Sequence, residues 1–315
     1  MAVDLPLLVE RVATAIDSAR VPIGESEAGA PRFALFHAAN SICSQKVRAV
    51  LAHHELAYVS HPLNLFAGQT YLPDYVRLRM IGCERHGGAL VAHHNGSTAA
   101  SDGCDGVVVP TLVDFETGEV IVDSKRICLT LDELAPEARR LRPDALGATI
   151  DAELTIVDAM PNYQMLMGRM AASDTSGLAK QATFSERKVA WCDRYLEECA
   201  GEAPLFAAYT AKRAKELSAA TGLFSEEAMQ AATAKVEAAL GGLEARLARR
   251  SPPFVSDQPT MADLFWEIEL LRIENLGHAA MWIDGRLPGV EAYFAAQRAL
   301  PCIRTAILDW PGALY

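Results

Sequence analysis

The chain has no apolar run of membrane-spanning length, although half of its 315 residues are apolar; a transmembrane helix needs about 20 consecutive apolar residues. The stretch Met1 to Arg20 lacks the basic start and long apolar block of a secretory signal, so a cytoplasmic protein is expected. Positive charge is short: 29 Lys and Arg against 40 Asp and Glu leave a net charge of −11. That balance argues against a nucleic acid or an anionic membrane as partner. The seven cysteines have no framework spacing. An odd count in a chain without a signal reads as reduced thiols rather than structural disulfides. Cys128, Cys192, Cys199 and Cys302 fall in apolar or helical runs and read as packing atoms. No repeat of fixed period is present.

What is present suffices for a substantial core in one or two domains. Leu5, Leu8, Val12 and Ile16 predict a short amphipathic helix, and Glu25 to Pro31 a flexible tether, which makes residues 1–31 an N-terminal extension. Phe33 to Ala52, FALFHAANSICSQKVRAVLA, then holds a strand, a tight turn and a helix. Val47, Val50 and Leu51 recur at i, i+3 and i+4, which predicts a helix over 45–52 with one buried face. Ser41, Ile42, Cys43 and Ser44 occupy its start, where free backbone N–H groups and the helix dipole favour an anion. A Cys43 thiolate is such an anion, with Lys46 and Arg48 nearby to favour it. The alternative is a Cys43 that is a small buried hydrophobe beside a serine that merely caps the helix.

Tyr58 to Leu65 predicts a second strand, short or at an edge because of Pro62. Residues 66–106 are too many for an ordinary connection and form a long insertion. Leu72 to Ile81 within it predicts a helix, followed by a loop carrying Cys83, His86, His93, His94 and Cys104. Those spacings match no paired metal motif, so no metal is expected. The loop reads as a surface segment or as a lid bearing a substrate-contacting His or Arg. Val107 to Asp114, VVVPTLVD, is a β-branched run broken by Pro110, the mark of an edge, a bulge or a cis bond. Glu116 to Glu119 predicts a turn, Val120 to Val122 the returning strand of a hairpin, and Asp123-Ser124 the start of a helix.

The order of strand, helix, strand, long connection, strand, strand, helix is that of a thioredoxin-like domain, here α/β over 32–137. From Leu141 onward only helices are predicted, over 148–167, 185–199, 212–217, 226–247, 261–273 and 290–299. With 136–143 as linker, residues 144–315 form an all-α unit. Thr260 to Asp263 is a capping box ahead of the apolar run Leu264-Phe265-Trp266. Met160, Tyr163, Met165 and Met167 form a soft stretch that is either core or the lining of a pocket for an aromatic ligand.

This two-part order, with a proline-marked strand, an acid–serine pair opening the next helix and the capping box, resembles the glutathione transferase superfamily. SICSQKVR at 41–48, YVRLR at 75–79, VVPTLVDFETG at 108–118, DSKRICLTL at 123–131, ADLFW at 262–266 and DWPG at 309–312 resemble more closely its bacterial chlorohydroquinone reductive dechlorinases. The resemblance implies glutathione as cosubstrate, a small aromatic second substrate and a homodimer. It gives Val109 and Pro110 the cysteinyl part of glutathione, and Asp123 and Ser124 its γ-glutamyl end. Ser41 is expected to hydrogen-bond the glutathione thiolate. Cys43 is expected to attack a glutathionyl thioether and to be left as a mixed disulfide that a second glutathione resolves. Arg77 or Arg79 is expected to stabilise a hydroquinonate oxygen, with Met160, Tyr163 and Met167 in the substrate pocket. Other readings are a glutathione-dependent cis–trans isomerase of the maleylacetoacetate type, an ether- or thioether-cleaving enzyme on lignin-type aromatics, and a non-catalytic glutathione-binding protein.

Overall fold

A computed structural model describes residues 4–17, 20–25, 29, 31–99, 103–172, 177–248 and 255–314. Its elements run α1 (Leu5–Ala15), β1 (Val21–Ile23), β2 (Phe33–His37), α2 (Ile42–His53), β3 (Tyr58–Pro62), α3 (Pro73–Arg85), β4 (Thr111–Asp114), β5 (Glu119–Val122) and α4 (Ser124–Glu133). Helices follow: α5 (Gly147–Asp158), α6 (Asn162–Ala172), α7 (Gly177–Glu198), α8 (Ala203–Gly222), α9 (Glu226–Leu247), α10 (Met261–Asn275) and α11 (Pro288–Gln297). The tether expected over 25–31 lies largely outside the described residues. Among these, no helix is long and apolar enough to cross a membrane.

The sheet order is β1-β3-β2-β4-β5, with β2 parallel to β3 and every other pairing antiparallel. The parallel pair needs a crossover, which α2 supplies. All five residues of β2 are buried, because both faces of the sheet are covered. Phe33 and Leu35 pack with α2, α4 and α10, whereas Ala34 and Phe36 face α1 and α3. The sheet thus sandwiches the chain just before Ser41 and fixes where α2 begins.

Several boundaries differ from the sequence expectation for local reasons. α2 starts at Ile42 rather than 45, because Ser41 is its N-cap and accepts the Ser44 N–H at 3.3 Å. The strand predicted from 107 starts only at Thr111. Before it, the Val109–Pro110 bond is cis, and the Val108 carbonyl accepts the Tyr75 hydroxyl at 2.7 Å instead of a strand partner. The helix predicted over 148–167 is two, α5 and α6, separated at Pro161, which has no N–H to continue the first. The 212–217 piece is the middle of the longer α8, and the short exposed β1 was not expected.

α2 is also gripped from far along the chain. Gln45 donates to the Ala313 carbonyl (2.8 Å) and Arg48 to that of Ala306 (3.0 Å), while the Trp310 ring lies 4.6 Å from the Arg48 guanidinium. Arg48 further donates to the Ala38 and Ala39 carbonyls. Burial pushes its guanidinium down to about 10. Its donors are spent on these carbonyls as a structural residue, so the cation beside Cys43 is Lys46 alone of the expected pair. The capping box forms: the Asp263 carboxylate accepts the Thr260 N–H (2.7 Å) and hydroxyl (2.6 Å), and starts the almost wholly buried α10.

Candidate active site

Cys43 is the second residue of α2, 6% exposed, with Sγ 3.8 Å from the Thr98 carbonyl oxygen. One turn on, Lys46 is buried, 2.7 Å from Asp158 Oδ1 and 4.4 Å from the centre of the Phe265 ring. Burial works against its charge, but Asp158, Cys43 and Glu269 outweigh it and hold the ammonium above its ordinary range. Ser41 Oγ accepts the Ser44 N–H, which leaves its own proton for another acceptor.

Two hollows meet at Cys43. The first is a narrow cleft of about 30 Å³ lined by Thr98, Cys104, Val108, Val109, Pro110, Asp123 and Ser124. Asp123 has a left-handed backbone (φ 76°) and caps α4 by accepting the Arg126 N–H at 3.0 Å. Among the described residues, the N–H and C=O of Val109 and the hydroxyl of Ser124 make no hydrogen bond. A peptide-like ligand therefore finds a backbone donor and acceptor at Val109. Its carboxylate finds the free N–H groups and hydroxyl at the α4 start, and its ammonium the Asp123 carboxylate. These four residues lie together along this cleft.

The second hollow is a cavity of about 190 Å³ with Ser41, Leu65, Phe66, Tyr71, Tyr163, Leu166, Met167 and Phe184 in its wall. An apolar cavity of about 150 Å³ admits benzene, so this one suits a single ring with a few small substituents. Tyr163 and Met167 line it as expected. Met160 does not: it is 1% exposed and part of the core beneath. Arg77 lies elsewhere, on the outer face of α3, paired with Asp74 (2.6 Å) and Glu202 (2.5 Å) beside α1 and α8. Arg79 is buried, but its guanidinium is spent on the carbonyls of Asp105 and Pro110 and on the Thr111 hydroxyl. It holds the cis-proline loop beside the cleft and does not line the cavity. The expected oxygen-stabilising arginine is thus corrected in both cases.

The cations of this cavity are instead Arg272, which donates to the Asn40 carbonyl, and three lysines, none of which sequence reasoning found. Lys212 and Lys215 of α8 both reach Asp105 Oδ2 at 3.0 Å; Lys212 also pairs with Glu216 Oε1 (3.1 Å), and Lys188 of α7 with Glu216 Oε2 (2.9 Å). The positions 212, 215 and 216 share one helix face, a spacing that reads equally as a solvated stripe. His94, one of the loop's metal-ligand residue types, stacks on Tyr163 with ring centres 4.1 Å apart. Among the described residues, no group of three His, Cys, Asp or Glu is arranged to hold a metal. Of the seven cysteines, Cys43 alone lines both hollows.

Residues 40–134 match the family model described as Glutathione S-transferase, N-terminal domain. Two proteins of Sphingobium indicum strains, each named 2,5-dichlorohydroquinone reductive dechlorinase, are 35% identical to the chain over 290 residues, covering 90% of it and 84% of each relative. The chain belongs to the glutathione transferase family. Solved structures similar to this transferase include the beta-etherase LigF of Sphingobium sp. strain SYK-6, with a TM-score of 0.60, 17% identity and coverage of 87% of this chain and 98% of that one. Ure2p in complex with glutathione matches with a TM-score of 0.57 and 16% identity, over 88% of this chain and 99% of that one. At such identities the likeness is one of fold: the transferase has the thioredoxin-like sheet followed by a helical unit.

Proposed function

We propose that this transferase removes halogen reductively from a halogenated hydroquinone at the expense of two glutathiones. The position of Cys43, where a cleft offering free backbone groups and a helix start meets a cavity sized for one aromatic ring, carries this reading. Its kinship with the two dechlorinases supports the choice of substrate.

Glutathione lies along Val109 and Pro110, with its γ-glutamyl end at Asp123 and Ser124, and Ser41 donates its hydroxyl proton to the glutathione thiolate. The keto tautomer of the hydroquinone takes that thiolate at the halogen-bearing carbon, and halide leaves with the bonding pair. The Cys43 thiolate then attacks the thioether sulfur. The carbon–sulfur bond breaks toward the ring carbon, which takes a proton, and Cys43 is left in a disulfide with glutathione. A second glutathione thiolate attacks that disulfide, returning Cys43. The ring gains two electrons and loses halide, and two thiols become one glutathione disulfide. In the same proposal residues 32–137 bind glutathione, residues 144–315 close the aromatic cavity with Tyr163, Met167 and Phe184, and two copies form a homodimer, to be read as a sedimentation mass about twice the chain's 34.0 kDa.

The test is Cys43→Ala with glutathione and 2,5-dichlorohydroquinone. The variant should release halide and stall at the glutathionyl conjugate, while the wild type yields the dehalogenated ring and one glutathione disulfide per halide. Dehalogenated ring formed by the variant at the wild-type rate refutes the role of Cys43. Cis–trans isomerisation without halide release by either protein refutes the dehalogenase reading in favour of the isomerase.

A further inference from the structure

The far wall of the aromatic cavity carries more positive charge than its carboxylates offset. Lys188, Lys212 and Lys215 stand against Asp105 and Glu216, a formal surplus of one, and all five are buried, between 2% and 9% exposed. Lys188 and Lys212 hold Glu216 down at about 2 although burial opposes its charge, so that carboxylate is ionised at neutral pH. Each lysine shares a carboxylate with another, so the buried cluster keeps a net positive charge that favours an anion from outside.

The hydrogen-bond directions point the same way. Lys188 Nζ donates to the Tyr163 hydroxyl oxygen at 3.1 Å, so the Tyr163 proton is left for another acceptor. Nδ1 of His94 accepts the Gly96 N–H at 3.0 Å, which puts the ring proton of neutral His94 on Nε2. Burial, with Lys215 next in weight, holds His94 down at about 3, so the neutral form is the one present. Neither the Tyr163 proton nor the His94 Nε2 proton has an acceptor among the described residues. Two donors in the cavity wall, set beside a cluster with a surplus of one positive charge, lack an acceptor.

We propose that Lys188, Tyr163 and His94 form an oxyanion site that selects an aromatic ring in its phenolate form, receiving the ring oxygen while the ring lies against Phe184 and Met167. This deepens the dehalogenase reading and rests on it for the identity of the ring alone. Lys212 and Lys215 keep the surrounding field positive by offsetting Asp105.

The test needs no turnover. Calorimetry without glutathione compares 2,6-dichloro-4-nitrophenol, ionised at neutral pH, with its methyl ether, a neutral ring of similar shape. The phenolate should bind the wild type about 10- to 100-fold more tightly, as expected for hydrogen bonds to a charged group in a buried site. Lys188→Met should remove most of that preference, whereas Glu216→Gln, which raises the surplus charge, should enlarge it; a merely structural role would move both variants the same way. Tyr163→Phe, which leaves the Lys188–Glu216 pair in place, should lower the preference about tenfold. Equal affinity of wild type for phenolate and ether overturns the proposal, as does an unchanged preference in both Lys188→Met and Tyr163→Phe. Phenolate preference in a protein that releases no halide refutes the dehalogenase alone; halide release without that preference refutes the oxyanion site alone.

Discussion

Ser41→Ala separates two jobs that one hydroxyl performs. As N-cap, Ser41 accepts the Ser44 N–H at 3.3 Å, at the long end for such a bond. Its loss should cost about 1 kcal/mol, which for a chain of this size lowers Tm by only a few degrees. As donor in the proposed mechanism, the hydroxyl would give a hydrogen bond to the glutathione thiolate, a charged acceptor, worth about 1.5–3 kcal/mol. At about 1.4 kcal/mol per pKa unit, the thiol of bound glutathione should titrate about one to two units higher in the variant. Its thiolate fraction at neutral pH then falls, by at most roughly 10- to 100-fold, and halide release should fall with it. Thiolate ultraviolet absorbance, followed by pH titration of the glutathione complex, measures this directly, and Ser41→Thr, which keeps both the acceptor and the proton, should restore the wild-type curve. If bound glutathione titrates at the same pH in wild type and Ser41→Ala while Tm drops as expected, the hydroxyl is a cap and nothing more.

Both carboxyl oxygens of Glu267 are buried without a partner among the described residues, and burial pushes the group up to about 9. Its folded value lies above the ordinary 4.5, so its contribution to stability is whole below that pH and is lost as pH rises toward 9, at about 1.4 kcal/mol per unit. Glu267→Gln should therefore gain on the wild type in urea titrations by up to about 4 kcal/mol between pH of about 5 and about 8, and a difference that does not vary with pH sinks this account. Arg77→Ala, which breaks half-exposed pairs with Asp74 and Glu202 on the outer face, should change stability by roughly 1 kcal/mol or less and leave KM for the aromatic substrate at the wild-type value. A several-fold rise in that KM would restore Arg77 to the substrate site. Asp263→Ala strips the acceptor from the Thr260 N–H, the Thr260 hydroxyl and the Tyr293 hydroxyl, and thermal melts should show a loss of about 3 kcal/mol or more.

The cleft at Cys43 was legible because its parts are local. A serine and a cysteine at a helix start, a proline inside a β-branched run and an Asp-Ser pair before an amphipathic helix each announce their own backbone geometry, and the sheet brings those short segments to one edge. The aromatic side was not, since its chemistry comes from pairs far apart in sequence. Lys212 and Lys215 mean little until Asp105, 107 and 110 positions away, is seen between them. Tyr163 was picked out for its ring, but the charge it touches arrives from Lys188 on another helix. The arginines erred in the opposite direction. In YVRLR the residues at 77 and 79 lie on different faces of α3, one turned to solvent and one driven into the loop around Pro110, and neither points at the substrate.

The grip on α2 has a bearing on how the protein is made. Gln45 and Arg48 bond to carbonyls 268 and 258 positions later. While the chain is being translated, the helix bearing Cys43 emerges early yet lacks those anchors until residues 306 and 313 have cleared the ribosome. Cys43 thus comes into register only after residues 306 and 313 are free to fold back, and a nascent chain stalled before that point lacks both anchors on its helix.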